Sequence, residues 1–209
     1  MFSLQTMFGK GDKFYGLLEA SAQAARDGAS ALQSLLEHRG EAPILDSFRA
    51  ARRREKQLAA QISEALVNTF VTALDREDIE AMSSALYRIP KTIQKFADRY
   101  AIVASRLEDV DFASRAALLM RATEVVAEMV GELRNGLRIN AMKDMQDRLQ
   151  AIESEADRML LDSYRSLYTS GGDPIRVMAA KDLFELLEKA IDRCRDVGNV
   201  IYSIVLKNS

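Results

Sequence analysis

The chain has 209 residues, of which 48% are hydrophobic, and a net charge of −2 at pH 7. A chain of this length and apolar content can bury a substantial core in one or two domains. Its nearly balanced, interspersed charges and its lack of tryptophan disfavour a nucleic-acid partner, which requires a basic face and often aromatic stacking platforms. The single cysteine, Cys194, excludes an intrachain disulfide and favours a reducing compartment.

Strong helix formers dominate the chain, and only ten glycines and three prolines interrupt them, so we predict an all-α fold. Apolar residues recur at helical spacing in six segments that end at Gly, Pro or Asp signals. The predicted helices cover approximately residues 13–38, 46–71, 75–107, 111–135, 140–168 and 174–205. Short turns between long helices predict antiparallel packing in two three-helix bundles. The order indicates one domain over 1–209 with internal repeats at about 12–107 and 111–206.

Three local features refine this prediction. The apolar face of the second helix is expected to include Leu66 and Phe70, which are one turn apart. Pro90 lies inside the third helix and predicts either a kink or a division into two helices. Asp173 followed by Pro174 is typical of a helix N-cap and first helical position, and it should open the sixth helix.

The chain shows no sign of a membrane span or a secretory signal. No apolar run approaches the roughly 18 residues of a bilayer-crossing helix. The N-terminal stretch has no positively charged segment followed by a long apolar core. We therefore expect a cytoplasmic protein, with peripheral contact to the inner face of the membrane as a further possibility.

A row of acids lies on one side of the sixth predicted helix. Glu185, Glu188, Asp192 and Asp196 follow one another at spacings of three, four and four, which places them within about 80° of one another. Like charges one turn apart repel by about 0.2–0.5 kcal/mol per pair. The row is either a solvated face, offset by the nearby basic residues, or a site that holds a cation. Those basic residues are Lys181, Lys189, Arg193 and Arg195. Cys194, beside the row, is expected to be a small core residue.

Two stretches of the sequence carry a family resemblance. Residues 69–79 (TFVTALDREDI) and 187–197 (LEKAIDRCRDV), with the ending 200–208 (VIYSIVLKN), resemble PhoU-like accessory proteins of Pit-type, low-affinity phosphate transporters. The resemblance covers nearly the whole chain. It implies two PhoU-type three-helix bundles and a non-catalytic cytoplasmic regulator of phosphate transport. Its partner would be a phosphate permease or a phosphate-sensing protein.

The resemblance also implies a metal site. PhoU-type proteins carry an acid-x-x-x-Asp motif in each repeat, and some of them bind iron or zinc clusters. Here that motif matches Asp192 and Asp196, and the acids of the preceding helix match Glu153 and Asp157. Carboxylate oxygens suit a divalent or ferric ion such as magnesium, manganese or iron. The candidate ligands are Glu153, Asp157, Glu185, Glu188, Asp192 and Asp196.

The first repeat departs from this pattern. The positions that correspond to the four acids are occupied by Arg52, Lys56, Tyr87 and Lys91. A protonated lysine cannot ligate a metal, so we predict no metal in the first repeat. The basic cluster of this repeat is interpreted either as a binding site for an anion or an acidic partner surface, or as a solvated helix face. It consists of Arg52, Arg53, Arg54 and Lys56, to which Lys91 can be added.

Three functions remain open at this level: a regulator that docks on a phosphate permease or sensor, a metal-dependent carboxylate protein, and a structural helical oligomer. A homo-oligomer is expected in any case. The chain has no Glu-x-x-His pair, no glycine-rich phosphate loop and neither the G-x-S-x-G nor the H-E-x-x-H motif. Enzymatic activity is therefore not expected.

Overall fold

The computed structural model describes residues 4–37, 44–136, 138–169 and 171–208, with side chains from residue 13 onward. These residues form six α-helices: α1 (Leu4–Glu37), α2 (Asp46–Asn68), α3 (Arg76–Val103), α4 (Ala113–Glu132), α5 (Ile139–Thr169) and α6 (Pro174–Lys207). Short 3-10 turns follow α3 at Ala104–Arg106 and α4 at Leu133–Asn135. The all-α prediction is confirmed. Within the described part of the chain, no helix combines the length with the apolar content that crossing a bilayer requires.

The helices pack as two groups of three. α1, α2 and α3 pack on one another, and so do α4, α5 and α6. α1 also lies against α4 and α3 lies against α6, so one continuous apolar core runs through both groups. Arg99 pairs with Asp182 at one end of the α3–α6 contact and Lys207 pairs with Asp75 at the other, so these two helices are antiparallel. The packing agrees with two three-helix bundles, and the repeat boundaries stay a prediction.

The end of α2 differs from the prediction. The helix stops at Asn68, and Thr69 has extended backbone angles of φ −114° and ψ 126°. Because the helix ends there, the one-turn spacing from Leu66 no longer places Phe70 on the buried face. Phe70 is 97% exposed, so its assignment to the core was wrong.

Pro90 lies within one uninterrupted helix, so α3 is not divided into two. The proline is buried on the side of α3 that faces α1. At Gly28 of α1, a side-chain carbon would lie 3.5 Å from Ile93 Cδ1 and 3.9 Å from Pro90 Cβ. A methyl group at Gly28 would thus make ordinary van der Waals contact with α3, and burial against α1 compensates for the helix bond that a proline cannot make.

The helix stops of the second bundle follow the sequence signals. Gly136 after α4 has φ 99° and Gly171 before α6 has φ 65°, a backbone region that favours glycine. The Asp173 side chain accepts a hydrogen bond from the Ile175 backbone N–H at 3.1 Å, so it caps α6 as predicted. The turn between α1 and α2, predicted over residues 39–43, lies outside the described residues.

A buried arginine ties the three helices of the second bundle together. Arg115 of α4 is 5% exposed and donates hydrogen bonds to the Met159 carbonyl (2.5 Å) and the Ser163 hydroxyl of α5. Its guanidinium carbon lies 4.2 Å from the ring centroid of Phe184 on α6. Burial lowers the pKa of the guanidinium, and these hydrogen bonds and the ring contact offset its desolvation.

Candidate functional site: an acidic and a basic quartet

The second bundle brings together acids from α5 and α6. We call Glu153 and Asp157 of α5 with Asp192 and Asp196 of α6 the acidic quartet. The guanidinium of Arg195 lies across it: Nη1 donates to Glu153 Oε1 at 2.5 Å, Nη2 donates to Asp192 Oδ1, and Asp196 Oδ1 lies 3.9 Å away. Arg195 of the chain itself therefore places a positive charge among these carboxylates.

Asp196 and Glu188, on either side of Asp192 in the row of acids, differ in their surroundings. Asp196 also accepts a hydrogen bond from Arg193 Nη1 at 2.5 Å. Glu188 lies one turn before Asp192 and is half-buried. Burial raises the pKa of Glu188, and the charges of Asp192, Asp157 and Glu153 raise it further. Glu188 therefore lies close to the acidic quartet.

Glu185 lies apart from this group. Its carboxylate accepts hydrogen bonds from Lys181 of the same helix and from the Tyr164 hydroxyl of α5, the latter at 2.5 Å. The hydrogen bond from Lys181 has the largest effect and lowers the pKa of Glu185, and the hydrogen bond from Tyr164 lowers it further. Three of the six predicted metal ligands, Glu153, Asp192 and Asp196, thus lie around Arg195. Asp157 and Glu188 interact electrostatically beside them, and Glu185 makes a separate contact between α5 and α6.

The carboxylate oxygens of the quartet suit a hard metal ion chemically, but their observed arrangement does not fit one. The Arg195 side chain occupies the gap between Glu153 and Asp192. Across the described residues, no three histidine, cysteine, aspartate or glutamate side chains are placed to hold a metal ion together. The predicted metal site remains a prediction. The sequence indicated Arg195 only as a nearby charge, although its spacing of three from Asp192 is that of a helix-surface pair.

Cys194 takes no part in the cluster. It is fully buried, and its thiol donates to the Ala190 carbonyl at 3.4 Å. Burial raises the pKa of the thiol, so it stays protonated at neutral pH. The predicted role of Cys194 as a core residue is confirmed.

The first bundle carries a basic group at the corresponding positions. We call Arg52 and Lys56 of α2 with Tyr87 and Lys91 of α3 the basic quartet. Arg52 donates a hydrogen bond to the Tyr87 hydroxyl, and its guanidinium carbon lies 3.8 Å from the ring centroid. Lys91 Nζ lies 5.8 Å from the same centroid. The bond from Arg52 lowers the pKa of Tyr87, and the charges of Arg52, Lys91 and Lys56 also lower it.

A buried acid beside the basic quartet was missed by the sequence analysis. Glu55 of α2 is fully buried, and neither of its carboxyl oxygens makes a hydrogen bond of normal geometry within the described residues. Burial raises its pKa to about 7. Ser21 of α1, which the carboxyl faces, and the charges of Arg52 and Arg54 partly offset that rise. The available sequence signal was spacing: Glu55 follows Ala51 by four residues and precedes Leu58 by three, which places it on the buried stripe of α2.

An apolar surface lies on the turn between α2 and α3. We call residues 66–75 the α2–α3 tip. Phe70 is 97% exposed and Val71 is 58% exposed, and Val67 beside them on the last turn of α2 is 84% exposed. Large apolar side chains grouped on a turn at this exposure are typical of an interaction surface.

The backbone of the tip is held in place by hydrogen bonds. The Arg76 guanidinium donates to the carbonyls of Leu66, Thr69 and Phe70. The Thr72 hydroxyl donates to the Leu74 carbonyl at 2.6 Å. Phe70 and Val71 are therefore presented outward by a turn with satisfied backbone groups.

The order and packing of the six helices define a PhoU-like fold. Two solved structures of PhoU-like proteins from Shewanella oneidensis MR-1 match the chain with TM-scores of 0.74 and 0.73. Each match covers 93% of this chain and 99% of the other, at 18% and 19% sequence identity. The second of these proteins is described as a "putative PhoU-like phosphate regulatory protein". At this level of identity the likeness establishes the fold.

The chain is also similar in sequence to two curated proteins. The chain is 23% identical over 208 residues to a "Putative pit accessory protein" of Rhizobium meliloti (strain 1021), a match that covers 94% of both chains. It is 26% identical over 150 residues to "UPF0111 protein YkaA" of Bacillus subtilis (strain 168), which covers 69% of this chain and 70% of that protein. No family model matches the chain. The predicted resemblance to PhoU-like accessory proteins of Pit transporters is confirmed.

Proposed function

We propose that the chain is a non-catalytic cytoplasmic regulator of inorganic phosphate transport that acts by docking on a phosphate permease through the α2–α3 tip. The similarity to an accessory protein and to a phosphate regulatory protein supports a role in phosphate transport. The tip has exposed apolar side chains on a hydrogen-bonded backbone, which supports docking as the mode of action.

The tip has the properties of a binding anchor. Phe70 offers a large apolar side chain with few rotatable bonds, and aromatic residues at the centre of an interface commonly contribute 2 kcal/mol or more to binding. Because Arg76 and Thr72 already order the turn, docking loses less conformational entropy than it would with a flexible loop. This pre-organisation favours a binding role over that of an incidental exposed residue.

The charges beside the tip indicate the chemistry of the partner surface. Glu64 precedes the tip on α2 and Glu77 follows it on α3, and both are exposed. Cytoplasmic loops of membrane proteins are enriched in Lys and Arg. An apolar pocket rimmed by such basic loops would complement an apolar tip flanked by acids.

The test is binding of the chain to the detergent-solubilised phosphate permease by biolayer interferometry. We expect Phe70→Ser to weaken binding at least tenfold. Ile102→Ser is the matched control, since Ile102 is also 81% exposed but lies at the far end of α3, about 40 Å from the tip. Equal binding by the wild type and Phe70→Ser would contradict docking through the tip. Binding to a phosphate-sensing protein and none to the permease would contradict the choice of partner.

A further inference from the structure

The acidic and basic quartets share one geometry with opposite charge. Each consists of two residues one helical turn apart on the second helix of a bundle, facing two residues one turn apart on the third. In the second bundle the contact between Arg195 and Glu153 shows that the two pairs meet. In the first bundle the contact between Arg52 and Tyr87 shows the same. The helix pair therefore builds a four-residue surface site in each bundle.

Arg195 and Arg193 pair with three acids of the acidic quartet, whereas no acid forms an ion pair with the basic quartet among the described residues. Among the described residues, Lys56 and Lys91 form no ion pair with an acid. Arg52 donates a hydrogen bond from Nη2 to the neutral phenol of Tyr87, and its Nη1 is buried without a hydrogen-bond partner among the described residues. The adjacent Arg54 pairs instead with Asp27 of α1 at 3.2 Å. Three positive charges thus surround one phenol.

The acid nearest the basic quartet does not serve as its counter-ion. Glu55 is fully buried and faces Ser21 of α1, on the inner side of α2. Burial raises its pKa to about 7, so at neutral pH it carries only part of a negative charge. The outer side of α2 and α3 at this level is therefore left with excess positive charge.

We propose that the basic quartet is a binding site for a tetrahedral oxyanion of the phosphate class. A guanidinium and two ammonium groups from two helices supply several donors beside one hydroxyl, which suits the several acceptor oxygens of a phosphate dianion. The Tyr87 hydroxyl accepts from Arg52, which leaves its own proton to donate to the anion. The ligand is either free inorganic phosphate or the phosphoryl group of a small ester such as a nucleotide.

Isothermal titration calorimetry of the full chain at pH 8 and low salt, with inorganic phosphate and with AMP, tests this site. We expect saturable binding that the Lys56→Gln/Lys91→Gln variant weakens at least tenfold. The matched control is Arg53→Gln/Lys95→Gln, which removes two exposed cations from the same two helices but outside the quartet, and which should change affinity less than twofold. Binding of phosphate alone identifies the free ion as the ligand, and stronger binding of AMP identifies a phosphoryl ester.

A second readout follows the tyrosine itself. Ultraviolet titration of the wild type against Tyr87→Phe isolates ionisation of Tyr87, and a bound anion should raise the pKa of Tyr87 because it offsets the cations. Absence of binding by both ligands, or equal affinity in the quartet variant and its control, overturns the proposal. The outcome is independent of permease docking, because Phe70→Ser should bind the anion as the wild type does.

Discussion

The Arg195 guanidinium of α6 donates to the Glu153 carboxylate of α5 at 2.5 Å and also holds Asp192 of its own helix. Both acids are largely enclosed, with side-chain exposures of 15% and 24%. This bridge by Arg195 helps to explain how α6 tolerates a row of four acids next to α5, which carries Glu153 and Asp157. Together with Lys181 at Glu185 and Arg193 at Asp196, Arg195 offsets the repulsion that the sequence predicts.

Arg195→Gln should therefore destabilise the chain by about 1–2 kcal/mol at pH 7, because it leaves partly buried carboxylates without their cation. Urea unfolding followed by circular dichroism measures the difference. Arg158→Gln, an exposed arginine on α5, is the control and should stay within about 0.5 kcal/mol of the wild type. Equal stabilities of the two variants would contradict the bridging role.

Metal content tests the predicted carboxylate site directly. If the acidic quartet binds a divalent or ferric ion, elemental analysis of protein purified without chelator should find nearly stoichiometric metal in the wild type and none in Asp192→Asn/Asp196→Asn. Arg195→Gln should increase the metal content, since it removes the cation that competes for the same oxygens. Full metal content in the double variant would refute the assigned ligands. Metal-free protein in both the wild type and Arg195→Gln would refute the site.

Close packing of α5 on α6 depends on Gly198. A side-chain carbon at this position would lie 2.4 Å from Gln146 Oε1 and 2.5 Å from Leu149 Cδ1, and both of those residues are buried. Gly198→Ala should therefore cost about 1–3 kcal/mol of unfolding free energy, because the buried side chains of Gln146 and Leu149 must shift.

Gly131 provides the matched control for that substitution. It lies within α4, and a side-chain carbon there would have no other atom within 4 Å. Gly131→Ala should stabilise the chain by up to about 1 kcal/mol through helix propensity alone. Thermal unfolding of the two variants should shift in opposite directions, and a shift in the same direction would contradict the packing argument.

Glu55 should make stability depend on pH. Its carboxyl has a pKa of about 7 in the folded chain against 4.5 as the ordinary value, so the folded state binds more protons between these values. Stability should therefore fall as the pH rises from about 4.5 to about 7 and then level off. Glu55→Gln should be more stable than the wild type by about 1–3 kcal/mol at pH 8. The gain should disappear near pH 4.

Urea unfolding between pH 4 and pH 8 measures this dependence. Glu64→Gln changes an exposed acid on the same helix and should shift stability by less than about 0.5 kcal/mol at every pH. A pH-independent difference between Glu55→Gln and the wild type would show that desolvation of the carboxylate is not the cause.

The order of the α2–α3 tip should depend on Arg76. Arg76→Gln removes the donors to the carbonyls of Leu66, Thr69 and Phe70, so amide hydrogen exchange across the tip should accelerate about tenfold or more. Arg88→Gln, an exposed arginine further along α3, should leave that exchange unchanged. Permease binding by Arg76→Gln should weaken less than in Phe70→Ser, since the apolar anchor is still present. Unchanged exchange in Arg76→Gln would contradict the ordering role.

The sequence by itself determined the helices and their stops. Apolar spacing and the signals at Gly136 and at Asp173 with Pro174 are local properties of the chain, and they predicted six long helices with bounds that mostly differ by a few residues. The α1 start at Leu4, nine residues before the predicted start, is the main difference, and α2, α3 and α4 end three or four residues earlier than predicted. The burial of Cys194 was also predictable, because it lies on a helix stripe that is apolar over many turns.

Only the tertiary structure decided which of these residues meet and which are enclosed. Helical spacing placed Glu153, Asp192 and Arg195 on particular faces, but whether the arginine lies between the two acids depends on how α5 docks against α6. Glu55 is likewise buried because α1 packs over it. Phe70 is exposed because α2 ends at Asn68, before the turn that carries Phe70. Helical periodicity tells which residues share a face of one helix. Whether that face is covered, and by which side chains, depends on how a second helix packs against it.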